Sequence, residues 1–406
     1  MTLDISAIRK DFPILDQLVY NKPLIYLDSA ASSQKPVQVL KKEEELHLKY
    51  YGNIHRGAHF LAERATVDYE DVRDQVTDFI HASSREEIIF TKGTTESINL
   101  VAFSFGEAFI GPGDEIIISE MEHHANIVPW QLMAERKRAK IKVLPFSDEG
   151  RLKIELLDKL ITRRTKLIAV AQVSNTLGTV NPVKAIIEKA HKKGINVLVD
   201  GAQAVKHMAV DVQDMDADFY VFSAHKMYGP NGVGILYGKK DLLNQMPPYQ
   251  GGGEMISEVS FEKTTFNELP YKFEAGTPHI TGVIAFGEAI RYLQQLGIDE
   301  IARYEQSLLE YTTRRLLEIP GMIIYGTQKE KSGVITFNIE GIHSFDLGTM
   351  LDKMGIAVRT GRLCADTVMQ HYQVSGTVRV SFAVYNTFDE VDQLIMALNK
   401  LVPMLK

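Results

Sequence analysis

Seven short runs rich in apolar and β-branched residues lie between residues 86 and 238 of this chain, and amphipathic helical patterns separate several of them. Runs that are apolar throughout, rather than alternating with polar residues, predict strands buried on both faces of a mainly parallel sheet. The helical segments between them predict crossover connections that cover the two faces. The runs are EEIIF (86–90), DEIIIS (114–119), IKVLPF (141–146), KLIAVAQV (166–173), INVLVD (195–200), DFYVFS (218–223) and GVGILYG (232–238).

The rest of the chain has a different pattern. A long helical stretch begins near Thr281, after which GVITFNI, IAVRTG and TVRVSFAVYN are interspersed with helical segments up to a closing helix. This mixture predicts a smaller α+β domain. We therefore expect an α/β protein in which residues 21–290 form a large domain with a seven-stranded sheet flanked by helices. Residues 291–406 would form the C-terminal domain, and residues 1–20 would pack on that small domain.

Composition excludes several classes of function. The 406 residues carry a net charge of -7, so there is no basic excess to bind nucleic acid. No apolar run is long enough to span a bilayer, and the N-terminal residues lack the apolar core of a signal peptide. Cys364 is the only cysteine and cannot form an internal disulfide. We expect a cytoplasmic protein that binds neither nucleic acid nor membranes.

Residues able to do chemistry follow five of the predicted strands. Ligands of open α/β sheets bind outside the carboxyl ends of the strands, so we expect these side chains to surround one site. Two threonines begin a helix after a glycine, which is a pattern suited to binding phosphate. In chain order the residues are Thr94 and Thr95, His123 and His124, Asn175, Asp200 and Gln203, and finally Ser223, His225 and Lys226.

One cofactor uses this whole set, namely pyridoxal 5′-phosphate. A lysine forms its Schiff base, a carboxylate keeps its pyridine nitrogen protonated, and hydroxyls bind its phosphate. Taken singly, Lys226 could be a solvated surface residue and Asp200 a turn former. The pair His123–His124 could suggest a metal, but no further ligand spacing accompanies it, and we expect no metal site. The five strand ends together favour the pyridoxal-phosphate interpretation.

Longer motifs identify a family that the chain resembles. They are similar to those of the SufS-type, or group II, cysteine desulfurases, which are pyridoxal-phosphate enzymes of fold type I related to the class V aminotransferases. The resemblance covers nearly the whole chain. The motifs are YLDSAASSQKP, FTKGTTESINLVA, MEHHANIVPWQ, VSNTLGTVNP, VLVDGAQAV, DFYVFSAHKMYGPNGVGILYG, FEAGTP and AVRTGRLCA.

The resemblance implies a role for each residue at the strand ends. Lys226 would carry the coenzyme and move the Cα proton of the substrate, and Asp200 would pair with the pyridine nitrogen. His123 would stack on the ring and would count, with Lys226 and Cys364, among the catalytic residues. The other implied coenzyme ligands are Gln203 and Asn175 at the ring hydroxyl, with Asn175 near the substrate side, and Thr94, Thr95, Ser223 and His225 at the phosphate.

The resemblance also implies a dimer and a substrate pocket. Thr277, in FEAGTP, would reach the phosphate of the other subunit, so the active unit would be a homodimer. Arg379 would bind the substrate carboxylate with its guanidinium fork, a geometry that suits two parallel hydrogen bonds. Arg359 would line the pocket, and Asn175 would lie on the substrate side.

Cys364 selects the reaction that the resemblance implies. Its thiolate would take the sulfur of L-cysteine as a persulfide and leave L-alanine. Arg359 and Arg362 are near in sequence and could favour the thiolate. The loop that carries Cys364 is short, which would restrain and shield the sulfur, as in the slow, partner-activated subgroup of the family.

A sulfur-acceptor protein of SufE or SufU type would then receive the sulfur for iron–sulfur cluster assembly. The chain departs from many family members in one place, because Arg362 and Leu363 stand where those members have two histidines. The charge of the loop and its contacts with an acceptor would differ accordingly.

Three alternatives remain at this stage. A selenocysteine lyase, acting on L-selenocysteine, or a cysteine-sulfinate desulfinase would use the same coenzyme without needing Cys364. A class V aminotransferase would exchange amino groups with a keto acid. A nucleotide-binding scaffold is disfavoured because no GxGxxG motif follows a strand.

Overall fold

The computed structural model of the protein describes residues 3–406. The N-terminal part consists of short elements followed by two longer helices. They are α1 (Ile5–Lys10), β1 (Leu18–Val19), β2 (Lys22–Pro23), β3 (Ile25–Tyr26), α2 (Val37–Lys49) and α3 (Phe60–Phe79). In the part of the chain that is described, no helix combines the length and the apolarity needed to cross a membrane.

A seven-stranded sheet follows, with the strand order β4-β10-β9-β8-β7-β5-β6. Six of its strands run in the same direction, and β10 is antiparallel to both of its neighbours. The predicted fold class, a mainly parallel seven-stranded sheet, is confirmed. The strands are β4 (Ile88–Thr91), β5 (Glu115–Ser119), β6 (Lys140–Leu144), β7 (Thr165–Ala171), β8 (Asn196–Asp200), β9 (Phe219–Ser223) and β10 (Gly234–Gly238).

The register brings the ends of several strands to one edge of the sheet. Gly234 pairs with Ser223 on one side and with Thr91 on the other. The last residues of β4 and β9 therefore lie in the same row, although β10 separates the two strands. Asp200, the last residue of β8, pairs with Val221 next to them. The sheet thus collects the strand ends that the sequence analysis singled out.

Helices cover both faces of this sheet. Within β5, Ile116 and Ile118 belong to one hydrophobic cluster and Ile117 to another, as expected when successive side chains alternate between faces. Trp130 is fully buried on the first face, and burying a large apolar side chain contributes about 1.5–3 kcal/mol. The helices are α4 (Thr94–Phe109), α5 (Val128–Lys137), α6 (Leu157–Leu160), α7 (Val183–His191), α8 (Lys240–Gln245) and α9 (Ile280–Leu296).

A β-hairpin formed by β11 and β12 precedes α9 in the chain. The part of the chain after α9 forms most of a second hydrophobic core. The second core lies between helices and a four-stranded antiparallel sheet with the order β13-β14-β17-β16. The elements are β11 (Ile256–Val259), β12 (Thr264–Phe266), α10 (Ile298–Leu317), β13 (Met322–Tyr325), β14 (Val334–Ile339), α11 (Ser344–Asp352), β15 (Ile356–Ala357), β16 (Arg359–Gly361), α12 (Asp366–His371), β17 (Thr377–Ser381) and α13 (Phe388–Leu405).

The predicted domain limits stay predictions. Near the predicted limit at residue 290, α9 continues and ends at Leu296, and the next residue, Gly297, has a positive φ of 79° that suits glycine. In the predicted N-terminal segment, residues 1 and 2 lie outside the described part. Arg9 in α1 donates a hydrogen bond to Glu390 in α13. Phe12 is buried against Tyr228, which follows β9 of the large sheet, and against Tyr385 of the C-terminal unit.

Two strand predictions in the C-terminal unit differ from the structure. IAVRTG is divided, because β15 pairs with β3 while β16 pairs with β17. TVRVSFAVYN is a strand only as far as Ser381, since Asn386 then forms a turn in which its Oδ1 accepts a hydrogen bond from the N–H of Ala383. Residues 382–385 are nevertheless buried, which is why they resemble a strand in sequence.

Candidate active site

Ser223 joins the end of β9 to the start of α4. Its Oγ accepts a hydrogen bond from the backbone N–H of Thr94 at 2.8 Å and lies 2.7 Å from Thr94 Oγ1. The residue before α4 also lies directly against β10, because Gly234 has no side chain and a Cβ there would lie 2.3 Å from the Cα of Gly93. Two of the hydroxyls predicted to bind phosphate, those of Thr94 and Ser223, are therefore in contact with each other at a helix N-terminus.

A cavity of 810 Å³ opens in front of this helix start. Burial, together with the nearby Lys226, lowers the pKa of His225 to about 4, so its ring is neutral near pH 7. Backbone N–H groups at a helix N-terminus, hydroxyls and a neutral imidazole form a suitable environment for a phosphate. All four predicted phosphate ligands line this cavity, namely Thr94, Thr95, Ser223 and His225.

Thr277 lies apart from those four residues. It lines a neighbouring cavity of 390 Å³ that shares several wall residues with the first cavity. The shared residues are Lys92, Glu96, Gly232 and Tyr249. The structure of the single chain thus places Thr277 next to the predicted phosphate site without including it among the residues that line that site.

A third cavity, of 230 Å³, brings the two parts of the protein together. The large sheet supplies one wall and the C-terminal unit supplies the other. Seven residues predicted to bind coenzyme or substrate, or to react, line it: His123, Asn175, Gln203, Lys226, Arg359, Cys364 and Arg379. Ala31 lines both this cavity and the predicted phosphate site, so the two are neighbours. We therefore take this cavity as the candidate active site.

Lys226 and Asp200 influence each other electrostatically at the base of the site. Burial lowers the pKa of Lys226, and the negative charge of Asp200 acts in the opposite direction. Burial raises the pKa of Asp200, which Lys226 and a hydrogen bond from the N–H of Ala202 oppose. A lysine with a lowered pKa is more easily available as a neutral amine, which is the form needed for nucleophilic and base chemistry.

His123 is held as a neutral ring. Burial, and then the charge of Lys226, lower its pKa to about 3. Its Nδ1 accepts a hydrogen bond from the N–H of Ala125 at 3.0 Å, which fixes the ring against the short helical turn that follows β5. A fixed, flat and uncharged ring on the cavity wall suits stacking against another aromatic ring.

Asp28 contacts both arginines predicted to bind substrate, and the sequence analysis missed it. Its carboxylate accepts hydrogen bonds from Arg359 Nη2 at 2.6 Å and from Arg379 Nη2 at 3.4 Å. Arg379 is buried and also donates to the backbone oxygen of Asn175 at 2.8 Å. The only signal in the sequence was an acidic residue directly after a short apolar strand, in YLDSAAS.

Replacing Asp28 by asparagine is expected to destabilise the substrate-free protein, because it leaves the buried Arg379 without its counter-charge. Breaking a buried ion pair costs about 3–5 kcal/mol, and partial exposure of Arg359 places the expected loss near the lower value. Thermal unfolding with and without L-alanine measures the effect. We expect the carboxylate of L-alanine to raise the melting temperature more in the variant than in the parent. Equal melting temperatures of the two ligand-free proteins would contradict the prediction.

Cys364 lies on the cysteine loop, which we define as residues 362–365 between β16 and α12. Leu363 and Cys364 both have left-handed backbone conformations, with φ of 56° and 53°. Cys364 is exposed in the chain. The expectation that the short loop shields the sulfur is therefore wrong for the single subunit, because the left-handed turn directs the loop outward after the buried Leu363.

The charges around Cys364 also differ from the sequence expectation. Arg359 pairs with Asp28, and Arg362 pairs with Asp366, so carboxylates balance both arginines that were expected to favour the thiolate. The charged group that does act on Cys364 comes from the large sheet, because a negative charge on Cys364 would oppose the lowering of the Lys226 pKa by burial.

Asn175 makes one contact that the sequence analysis did not predict, and its predicted contact with the ring hydroxyl of the coenzyme stays a prediction. Its Nδ2 donates a hydrogen bond to the backbone oxygen of Leu363 at 2.8 Å, so it holds the cysteine loop. Asn175 still lines the cavity, next to Arg379. Its placement on the substrate side remains a prediction.

Glu122 is a second buried carboxyl that the sequence analysis did not single out. It accepts hydrogen bonds from Asn126 Nδ2 at 2.7 Å and from the N–H of Ala171 at 2.9 Å, and it contacts Ser119. Burial raises its pKa to about 7. Because it directly precedes His123, this network fixes the segment that carries the predicted stacking ring.

Stability should depend on pH through Glu122. A carboxyl with a raised pKa in the folded chain contributes stability that is fully present below its unfolded pKa of 4.5 and is lost as the pH rises through about 7. A shift of this size corresponds to about 3 kcal/mol. We expect Glu122→Gln, which cannot ionise, to gain melting temperature relative to the parent between about pH 5 and about pH 8. A constant difference across that range would disprove the assignment.

The cavity residues fit pyridoxal phosphate. Gln203 donates from Nε2 to the backbone oxygen of Ala30 at 2.7 Å, while its Oε1 is buried and has no hydrogen-bond partner among residues 3–406. Arg379 Nε is likewise buried without a partner in that range. The ring hydroxyl of this coenzyme would donate a hydrogen bond to Gln203 Oε1, and the carboxylate of an amino acid would accept one from Arg379 Nε. Among the described residues, no group of three side chains could hold a metal ion.

Comparisons with known proteins agree with this geometry. The family model described as "Aminotransferase class-V" matches residues 25–394. A cysteine desulfurase of Yersinia pseudotuberculosis is 52% identical over 406 residues, covering all of both chains. A cysteine desulfurase of Dickeya dadantii is 51% identical, covering 98% of this chain and 96% of the relative. The crystal structure of the Escherichia coli cysteine desulfurase CsdA is 38% identical and covers both chains fully, with a TM-score of 0.93.

Proposed function

The chain belongs to the aminotransferase class-V family and is a pyridoxal-phosphate-dependent cysteine desulfurase, and from that premise we propose that it forms a persulfide on Cys364. The observation that carries this proposal is the cavity in which Lys226, Arg379 and Cys364 meet. A buried lysine of lowered pKa, a carboxylate-binding guanidinium and a thiol are the three groups that removing sulfur from an amino acid requires.

The coenzyme would supply an aldehyde that condenses with an amine and a protonated ring that accepts electron density from the substrate Cα. Lys226 would hold it covalently, and Asp200 would stay ionised against its ring nitrogen. His123 would stack on the ring, and Gln203 Oε1 would accept a hydrogen bond from the ring hydroxyl. The phosphate would be bound by Thr94, Thr95, Ser223 and His225.

The residues of the chain would then act in sequence on L-cysteine. Arg379 binds the carboxylate of the substrate, with Arg359 at the mouth of the cavity. Lys226 Nζ removes the Cα proton and later returns a proton to the substrate carbon skeleton. The Cys364 thiolate attacks the substrate sulfur, so that an S–S bond forms while the Cβ–S bond breaks. Cβ keeps the electron pair of the broken bond and takes up a proton, and L-alanine leaves.

We assign the protein to the SufS-type group, and we propose that a SufE- or SufU-type acceptor takes the sulfur for iron–sulfur cluster assembly. The support is the length of the cysteine loop, which has only residues 362–365 between two regular elements. The active unit would be a homodimer in which Thr277 reaches the phosphate of the partner subunit. A cytoplasmic location is consistent with the single free thiol at Cys364.

Mass spectrometry after mixing the holoenzyme with L-cysteine tests the proposal. We expect one additional sulfur atom on the peptide that holds Cys364 and an equal amount of L-alanine. Adding an acceptor of SufE or SufU type should remove that sulfur and restore turnover. Alanine formation that depends on a keto acid, without sulfur on Cys364, would instead indicate an aminotransferase.

A further inference from the structure

The large domain holds the backbone of the cysteine loop at two points. Asn175 Nδ2 donates to the backbone oxygen of Leu363 at 2.8 Å, and the backbone N–H of His124 donates to the backbone oxygen of Cys364 at 2.9 Å. Asn175 and His124 follow neighbouring strands of the large sheet, β7 and β5. The backbone on both sides of the reactive sulfur is therefore attached to a rigid edge.

A side-chain contact provides a third attachment. Asp366 is the first residue of α12, and its Oδ2 lies 2.9 Å from His124 Nε2. The backbone N–H of Asp366 donates a hydrogen bond to the same nitrogen at 3.2 Å. Its Oδ1 accepts a hydrogen bond from Arg362 Nη1 at 2.6 Å. The Asp366 carboxylate, which directly follows the cysteine loop, thus contacts both Arg362 at the start of the loop and His124 of the large domain.

This arrangement explains how the loop keeps an unfavourable backbone. Leu363 and Cys364 are consecutive non-glycine residues with φ of 56° and 53°. Left-handed conformations cost free energy for residues with a Cβ, and they persist only where the surroundings hold them. Asp366 and Arg362 flank these two residues, so their ion pair closes the loop in the observed conformation.

We propose that Asp366, held between Arg362 and His124, is a positioning residue that fixes Cys364 at the mouth of the active site. It lies outside the residues that line the 230 Å³ cavity and acts through the loop. All three side chains are partly exposed, with 31%, 67% and 40% of the side-chain surface accessible for Asp366, Arg362 and His124. Exposed polar contacts add little to the free energy of unfolding of the whole protein, so we expect their loss to change the local conformation of the loop and the position of the sulfur rather than the melting temperature.

The kinetic test compares Asp366→Ala with the parent holoenzyme, and it rests on the proposed function because it follows sulfur transfer to Cys364. We expect persulfide formation in a single turnover to slow by about 10- to 100-fold, the effect of a misplaced reacting group. The change in the visible spectrum on mixing with L-cysteine, which depends on Lys226 and Arg379, should be unchanged. In steady state kcat falls and KM does not.

Alkylation of Cys364 gives a readout that does not depend on activity. Since the chain has one cysteine, a bulky maleimide reports on this loop alone. We expect Asp366→Ala to raise the alkylation rate severalfold, because Cys364, although exposed, lies at the wall of the cavity, and a released loop moves its sulfur away from the residues that limit the approach of a bulky reagent. His124→Ala should also raise the rate, because His124 Nε2 contacts both the carboxylate and the backbone N–H of Asp366. The two residues share the carboxylate contact, so the effect of the double variant should fall short of the sum of the two single effects. Asp366→Asn, which keeps an acceptor, should lie between the parent and alanine.

The same helix offers a matched control at its other end. His371, the last residue of α12, contacts Asp148 of the large domain at 3.0 Å, and the Asp148 side chain is 94% exposed. Asp148→Ala removes a second His–Asp contact between the domains. The rate of persulfide formation and the rate of Cys364 alkylation should both stay at the parent value.

Two outcomes decide against the inference. Parent-like rates in Asp366→Ala and His124→Ala would overturn it, as would an equal effect of Asp148→Ala, which would show that any attachment of α12 suffices. If Asp366→Ala does not fold, His124→Ala tests the same contact from the large domain. A parent enzyme that forms no persulfide on Cys364 would refute the proposed function instead, while the alkylation rates would still test the attachment.

Discussion

Replacing Cys364 by alanine is expected to reduce desulfuration of L-cysteine to background. No other thiol exists in the chain to receive the sulfur, and loss of a reacting nucleophile costs at least about 10³-fold in rate. The coenzyme spectrum should be unchanged, because Lys226, Asp200 and the phosphate-binding residues are intact. Release of L-alanine in a coupled assay, at saturating L-cysteine, measures the effect.

Two comparisons separate this result from general damage. Cys364→Ser preserves the size of the side chain, so it should lose desulfuration equally while its melting temperature stays near that of the parent. Any activity on L-selenocysteine should survive in Cys364→Ala, because release of selenium can proceed without a cysteine nucleophile. Full desulfuration by the alanine variant would remove Cys364 from the mechanism and would favour a lyase or a desulfinase.

The large sheet could be predicted from sequence because its central strands are mostly apolar and buried, and only the edge strand β6 alternates with exposed lysines. β8 and β9 lie within the runs INVLVD and DFYVFS and begin one residue later than those runs. The C-terminal unit was harder to predict, because β15 and β16 pair with different strands although only Val358 separates them. A change of pairing partner leaves no mark on hydrophobic periodicity.

The same distinction applies to the site. Residues after parallel strands could be grouped from sequence, because the carboxyl ends of such strands meet at one edge. Asp28 could not, since it contacts Arg379 across 351 residues and belongs to a different part of the fold. Asp366 likewise acquires its meaning only from His124, 242 residues away. Pairwise contacts between distant segments depend on the tertiary structure rather than on any local pattern.

Replacing Lys226 by alanine should abolish turnover and remove the covalent attachment of the coenzyme. The loss of a group that both holds the coenzyme and moves the Cα proton is expected to exceed about 10³-fold. Reduction of the parent holoenzyme with borohydride, followed by peptide mass spectrometry, should find the coenzyme on the peptide that holds Lys226. The same treatment of the variant should leave the protein without attached coenzyme.

Lys206 provides the control, because it is the other buried lysine near this site. Burial lowers its pKa to about 8, so basicity alone would make it a competitor for the coenzyme aldehyde. Its Nζ, however, donates to the backbone oxygen of Ser29 at 3.1 Å and is not among the groups that line the active-site cavity. Lys206→Met should therefore keep the reducible coenzyme on Lys226, whereas Lys226→Ala should lose it. Coenzyme found on Lys206 in the parent would show that a lowered pKa, rather than access to the cavity, selects the lysine, and the assignment of Lys226 would fall.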